Sequence, residues 1–351
     1  MIRRRRAELL LAGASVVFVL LAVASAELIA RSLTARIVSE EARPQHLEQL
    51  HVYSERYGWE PRPLYRAELS GRRVSINRYG MRGREYALQR KPGVARVMVA
   101  GDSIAFGLDV GDHETFATLL DAKRAEWEVL NLAVQGYGTD QTLLRLQGLG
   151  LEFGPDIVIL GFCLGNDFFD NALPAFLYDP RQPKPYYERV DGQLTRHSEH
   201  LRLGWAARAA VFLREHSALY THLDASTPDA EVAERHWMRT VLELEMRWPT
   251  WVRLAARLVG AMQEEVRSAG GELLVALFPY HRSWDEGSPQ LEFFKRLLAQ
   301  EQGVRFVDME QRFRERGLEF GDIAVDKLGH LSPRGHATTA QILDAELEAA
   351  R

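Results

Sequence analysis

Arg96-Val-Met-Val-Ala-Gly-Asp-Ser103 reads as a short apolar run, Arg96 to Ala100, that stops at Gly101 and turns at Asp102-Ser103 toward a helix. A solid apolar run of this length fits a strand buried on both faces. The same unit recurs outward from it. Glu128–Asn131, Asp156–Gly161 (after a Gly154-Pro155 break), Glu272–Phe278 and Val304–Val307 are further short apolar runs. Between them, Glu114–Trp127, Thr139–Leu151, Trp251–Ala269 and Leu291–Gln300 carry helical spacing, and His336–Ala350 is a closing helix. Five strands alternating with helices predict an α/β fold with a parallel sheet covered on both faces. Residues 168–247 break the rhythm with Pro174, Pro180, Pro183 and Pro185 and a helix-like part from Leu201. They are expected to be an insertion over the carboxyl edge of the sheet.

Composition narrows the class. With 351 residues, 46% hydrophobic, the chain is too apolar for disorder, and a single cysteine, Cys163, excludes an internal disulfide and cysteine-rich metal sites. The formal charge of -4 gives no global reason to expect nucleic acid. Residues 1–31 hold five arginines against two glutamates, so they carry +3 and the rest of the chain -7.

Leu9–Ala26 contains no charged residue and follows Arg3, Arg4, Arg5 and Arg6. Eighteen helical residues span ~27 Å, close to the ~30 Å hydrocarbon core. With Leu28–Ala30 added, this predicts a single membrane span with its arginines in the cytoplasm and everything after residue 31 outside. The rival reading is a cleaved signal peptide, for which Ala24-Ser25-Ala26 matches the cleavage pattern. Either way the expected address is extracytoplasmic, for a bacterium the periplasmic face of the inner membrane. Residues 32–50 read as a linker, and the rest of 32–94 as a β-rich lead-in to a catalytic domain at 95–351.

In such sheets, ligands sit beyond the carboxyl ends of the strands. There the sequence places Gly101-Asp102-Ser103, then Gln135-Gly136-Tyr137-Gly138, then Gly165-Asn166-Asp167, and near the C-terminus Asp326-Lys-Leu-Gly-His330. These are the residue types of a serine hydrolase. Ser103 would be the nucleophile at a helix N-terminus, His330 its base, and an aspartate would orient the imidazole. The Ser103 and Gly136 N–H groups and the Asn166 amide are candidate oxyanion donors.

These four blocks (VAGDSIAFG, NLAVQGYGTDQ, GFCLGND and DKLGHLSPRGH) resemble the SGNH, or GDSL, hydrolase superfamily in order and spacing. Ile76–Arg82 resembles the lead-in of its membrane-anchored bacterial members. The resemblance implies a three-layer α/β/α, flavodoxin-like fold with five parallel strands, and ester hydrolysis or acyl transfer without a metal or other cofactor. Two departures stand out. The aspartate normally three residues before the base is Lys327 here, so Asp326 is the expected acid and Asp322 the substitute. Gly165 also touches Asn166 directly, where the family has an intervening residue.

Other residues have blander readings. Asp102 and Asp167 are expected to close their turns. His336 is a weak rival to His330, and the remaining histidines (46, 51, 113, 197, 200, 216, 222, 236 and 281) show no metal-ligand spacing. No dinucleotide fingerprint, phosphate loop or GxSxG elbow is present. Tyr186, Tyr187, Arg189, Trp205, Trp237 and Trp248 either line a carbohydrate or acyl pocket or form the insertion's own core. The expected activity is a serine esterase or acylhydrolase acting on an ester-bearing small molecule, O-acetylated envelope glycan or lipid. The alternatives are a glycan O-acetyltransferase using the same triad, or a non-catalytic envelope scaffold or binding protein.

Overall fold

The structure is a computed structural model that describes residues 14–31, 50–69, 71–177, 179–190, 193–217, 219–220 and 247–349. The arginines at 3–6, the start of the apolar run, the linker at 32–49, His46, His222, His236 and Trp237 lie outside the described residues. Contacts divide the chain into two units, Met1–Gln49 with Leu203–Ala230, and Leu50–Arg202 with Glu231–Arg351.

The larger unit is built on five strands: β1 (Ala95–Gly101), β2 (Trp127–Asn131), β3 (Ile157–Cys163), β4 (Glu272–Phe278) and β5 (Arg305–Asp308). All pair in parallel, in the order β5-β4-β3-β1-β2. This is the flavodoxin-like order. The central strands are buried along nearly their whole length, which is why they read as solid apolar runs. Each boundary lies within a residue or two of the expected strand.

Handedness then assigns the layers. A right-handed crossover from β1 to β2 puts helix Phe116–Lys123 on one face, where it packs on the closing helix Pro333–Glu348. The chain then reverses direction. Helices Thr139–Gly148, Trp248–Ser268 and Pro289–Leu297 share the other face, the second packing on both of its companions. The reversal between β1 and β3 opens a crevice at their carboxyl ends. The expected helix Glu114–Trp127 is shorter than its apolar spacing suggested, because Thr115 caps it by accepting from Thr118 N at 3.2 Å.

Residues 50–94 contribute to this same unit. Tyr57, Trp59, Met81 and Tyr86 belong to its hydrophobic core. Arg82 is 2% exposed and donates to the Phe106 carbonyl at 2.9 Å and the Val110 carbonyl at 2.6 Å. Burial pushes its pKa down to about 10, against the pull of Asp112.

The first part of the insertion adds two hairpins, Ala175–Phe176 with Asp179–Pro183 and Tyr186–Val190 with Gln193–His197. Its stretch Leu203–Ala230 belongs to the smaller unit, where helix Trp205–His216 lies. That unit also contains helix Ala14–Arg31, of which only 6% of an 18-residue apolar window is buried. So little burial excludes a core helix and leaves a membrane span or a signal sequence.

Candidate active site

Ser103 follows β1 in a turn closed by Asp102, whose Oδ1 accepts from Ile104 N at 2.9 Å. The helix it opens is a single turn, Ser103–Phe106, ended by Gly107. The helix-dipole contribution expected at Ser103 is therefore small, because so few peptide units align. What remains is the local backbone, clamped from behind by Arg82.

Ser103 Oγ lies 2.8 Å from His330 Nε2, and His330 Nδ1 lies 2.6 Å from Asp326 Oδ2. Since a carboxylate only accepts, Nδ1 carries the proton and Nε2 presents its lone pair to the serine hydroxyl. Asp326 Oδ1 also accepts from the N–H groups of Leu328, Gly329 and His330, at 3.0, 3.0 and 3.2 Å. The loop thus wraps around the carboxylate, turning at Gly329, whose φ of 93° suits glycine. Asp322 is elsewhere: it pairs with Arg334 and accepts from Glu319 N.

The electrostatics follow this geometry. Burial alone would lower the His330 pKa, but the hydrogen bond and charge of Asp326, aided by Asp102 and Asp109, raise it above its ordinary value. Burial would raise Asp326, yet His330 holds it below the usual carboxylate range. Asp109, in the left-handed region at φ 67°, brings a carboxylate oxygen within 4.8 Å of the ligand atoms of Asp326 and His330. Two of these three groups are already engaged with each other.

Gly136 follows β2, and Val134 N donates to the Gly101 carbonyl at 3.0 Å, tying this loop to the serine turn. Gly136 has φ 75°, and a Cβ there would meet Phe176 at 2.9 Å and Trp59 at 3.4 Å. Trp59 Nε1 donates to the neighbouring Gln135 carbonyl at 3.0 Å. Among the described residues, neither Ser103 N–H nor Gly136 N–H is paired with an acceptor.

Asn166 follows β3. Its amide nitrogen donates to Asp170 Oδ2 at 2.7 Å, and it also stabilises the charged form of Asp102, whose pKa is nevertheless raised by burial. Gly165, the second departure, lies under Tyr280, where a Cβ would sit 3.2 Å from that residue's own Cβ. Asp167 accepts from Cys163 N at 2.7 Å, and burial beside Asp102 and Asp170 pushes its pKa well up. It closes its turn, as expected. Burial also raises Asp170, to about 7.

His336 is fully buried, accepts from Phe116 N at Nδ1, and is lowered to about pKa 3 by burial and Arg82. It is a neutral core residue. Of the insertion's aromatics, Tyr187 is buried in the core and Trp248 packs on Phe293 at its edge. Tyr186 stacks on His197, and Trp205 is exposed.

Sequence reasoning missed Lys184 and Asp140, a buried ion pair beside the Gly136–Gly138 loop. Lysine in a proline-rich insertion reads as solvated, and its partner is 44 positions away. It also missed Asp170, whose only sequence signal is its place one turn after Asn166.

Residues 99–338 match the GDSL-like Lipase/Acylhydrolase family. The chain belongs to that family. It is an SGNH serine hydrolase by fold and by family. A solved lipolytic protein of the G-D-S-L family from Desulfitobacterium hafniense is 12% identical, with 72% of this chain and 98% of that chain covered and a TM-score of 0.42. A catalytic mutant of an acetylxylan esterase from Geobacillus stearothermophilus is 13% identical, with 73% and 96% covered and a TM-score of 0.41. No curated protein matches the chain.

Proposed function

We propose that the protein is a serine esterase acting outside the cytoplasmic membrane on an ester-bearing substrate, an O-acetylated envelope glycan or a lipid. The observation that carries this reading is the hydrogen-bonded line from Ser103 Oγ through His330 to Asp326, at 2.8 and 2.6 Å. Ser103 Oγ attacks the ester carbonyl while His330 Nε2 takes its proton. The tetrahedral oxyanion is held by the N–H groups of Ser103 and Gly136 and by an N–H of Asn166. His330 then returns the proton to the departing alcohol as the C–O bond breaks, leaving an acyl-enzyme. Water, deprotonated by the same imidazole, releases the acid and restores Ser103.

Asp326 fixes the tautomer that this cycle needs and stabilises the imidazolium formed on the way. The extracytoplasmic address is supported by the apolar, exposed helix Ala14–Arg31 and the arginines that precede it in sequence.

The test is hydrolysis of p-nitrophenyl acetate by the full chain in detergent, with fluorophosphonate labelling alongside. Wild type turns over and labels, Ser103→Ala does neither, and His330→Ala loses labelling. A wild-type chain that neither turns over nor labels overturns the reading and favours a scaffold.

A further inference from the structure

Helix Trp205–His216 leaves large apolar side chains uncovered. Trp205 is 85% exposed, Phe212 59% and Leu213 42%. Seven and eight positions apart, they fall on one face of the helix. Phe212 also stacks on His216 on that side, with centroids 4.2 Å apart. Soluble proteins rarely leave such a patch bare without a use for it.

The second observation is what holds this helix. Arg31, the last residue of helix Ala14–Arg31, donates from Nη2 to the His216 carbonyl at 3.0 Å. Glu27 accepts from Ser217 Oγ at 2.7 Å and from Leu219 N at 3.1 Å, and is bridged to Arg31 at 2.8 Å. The C-terminus of helix Trp205–His216 is therefore pinned to the last turn of the apolar helix, whose residues Val16–Leu21, Val23, Leu28 and Ile29 are all exposed. A membrane span ends where polar groups such as Glu27 and Arg31 meet the headgroups.

We propose that helix Trp205–His216 lies in the lipid–water interface of the membrane crossed by Ala14–Arg31, with Trp205, Phe212 and Leu213 facing the acyl chains. The proposal rests on Ala14–Arg31 being a retained span. It uses the chemistry of interfacial helices, which bury one apolar face ~5–10 Å into the headgroup boundary. Exposed Trp is the side chain suited to that depth, with an apolar ring and a polar N–H.

The experiment uses the full chain reconstituted in phosphatidylcholine–phosphatidylglycerol vesicles. Carbonate washing reports the span. An NBD label is placed at Phe212→Cys, or at Ala207→Cys on the opposite face of the helix, each in a Cys163→Ser background, with p-nitrophenyl acetate hydrolysis as the check on folding. The expected result is carbonate-resistant protein, with emission at position 212 blue-shifted and quenched several-fold more by brominated lipid than at 207. In the chain that keeps Cys163, Trp205→Phe removes part of the tryptophan emission that the same lipid quenches.

Carbonate-resistant protein with a water-like, unquenched label at 212 overturns the interfacial helix and leaves the span standing. A label shielded from water yet untouched by brominated lipid also overturns it, in favour of a protein partner. Loss of the chain to the wash overturns the span, and this proposal with it.

Discussion

Lys184 and Asp140 form a salt bridge in which neither side chain reaches solvent. Burial raises the Asp140 carboxyl, and Lys184 is the main force opposing it. The ammonium also donates to the Pro185 carbonyl at 3.1 Å. The first half of the insertion is thereby tied to the helix that starts beside the Gly136–Gly138 loop. Lys184→Met strands a buried carboxylate and is expected to cost roughly 3–5 kcal/mol. Urea unfolding measures this, and adding Asp140→Asn recovers most of the loss because the stranded charge is gone. Equal stability of wild type and Lys184→Met would contradict the buried pair.

Asp326 and Asp322 separate cleanly by substitution. Asp326→Asn disturbs the His330 tautomer and is expected to lower kcat by up to ~10⁴-fold. Asp322→Asn loses a half-exposed pair with Arg334, an interaction of about 0–1 kcal/mol, and keeps its activity within a few-fold. Steady-state kinetics on p-nitrophenyl acetate decides between them.

The pH profile has a sign. The base must be neutral, and the His330 pKa is raised by Asp326, Asp102 and Asp109 over the opposing effect of burial. The acid limb of kcat/KM is therefore expected to have its midpoint above the ordinary 6.5. Asp109→Asn moves it down, since one negative charge leaves the imidazole. A midpoint below 6.5 in wild type would remove the proposed coupling.

On the proposed mechanism, Asn166→Ala removes one oxyanion donor. The expected loss is roughly 2.7–4 kcal/mol of transition-state stabilisation, or ~10²–10³ in kcat, with little change in KM. Gly136→Ala is expected to be worse for folding, because its Cβ strikes Phe176 at a φ that disfavours alanine.

His336 is expected to weaken the fold in acid. Its pKa falls from 6.5 to about 3 on folding, so below pH 6.5 the unfolded chain takes up a proton that the folded one refuses. The residue subtracts about 1.4 kcal/mol of stability per pH unit across that window. His336→Leu is expected to start less stable, with Phe116 N left unpaired, and to lose stability more slowly on acidification. Denaturant midpoints between pH 7 and 4 test this.

The sheet was legible because buried parallel strands need unbroken apolar runs, and β4 was read to its end residues, Glu272 and Phe278. The meeting of Ser103 with His330 was legible because loops at one edge of such a sheet converge, and the contact of His330 with Asp326 because the two are neighbours in one loop. The buried charges were not. Arg96 is 1% exposed and donates to the carbonyls of Leu88 and Phe153 and to the Glu128 carboxylate. Such partners are backbone atoms or distant side chains, so no local pattern records them. The insertion's hairpins were missed for a related reason, since short strands that pair only with each other, one of them carrying Pro180 and Pro183, show neither period.

Arg82 carries a practical consequence. It reaches from the lead-in to the carbonyls of Phe106 and Val110, just behind the nucleophile. The family match begins only at residue 99. A gene fragment cut at that homology boundary would encode Ser103, His330 and Asp326 yet omit the guanidinium that holds the serine turn. A fragment that keeps this turn is therefore expected to start upstream of Arg82, well before residue 99.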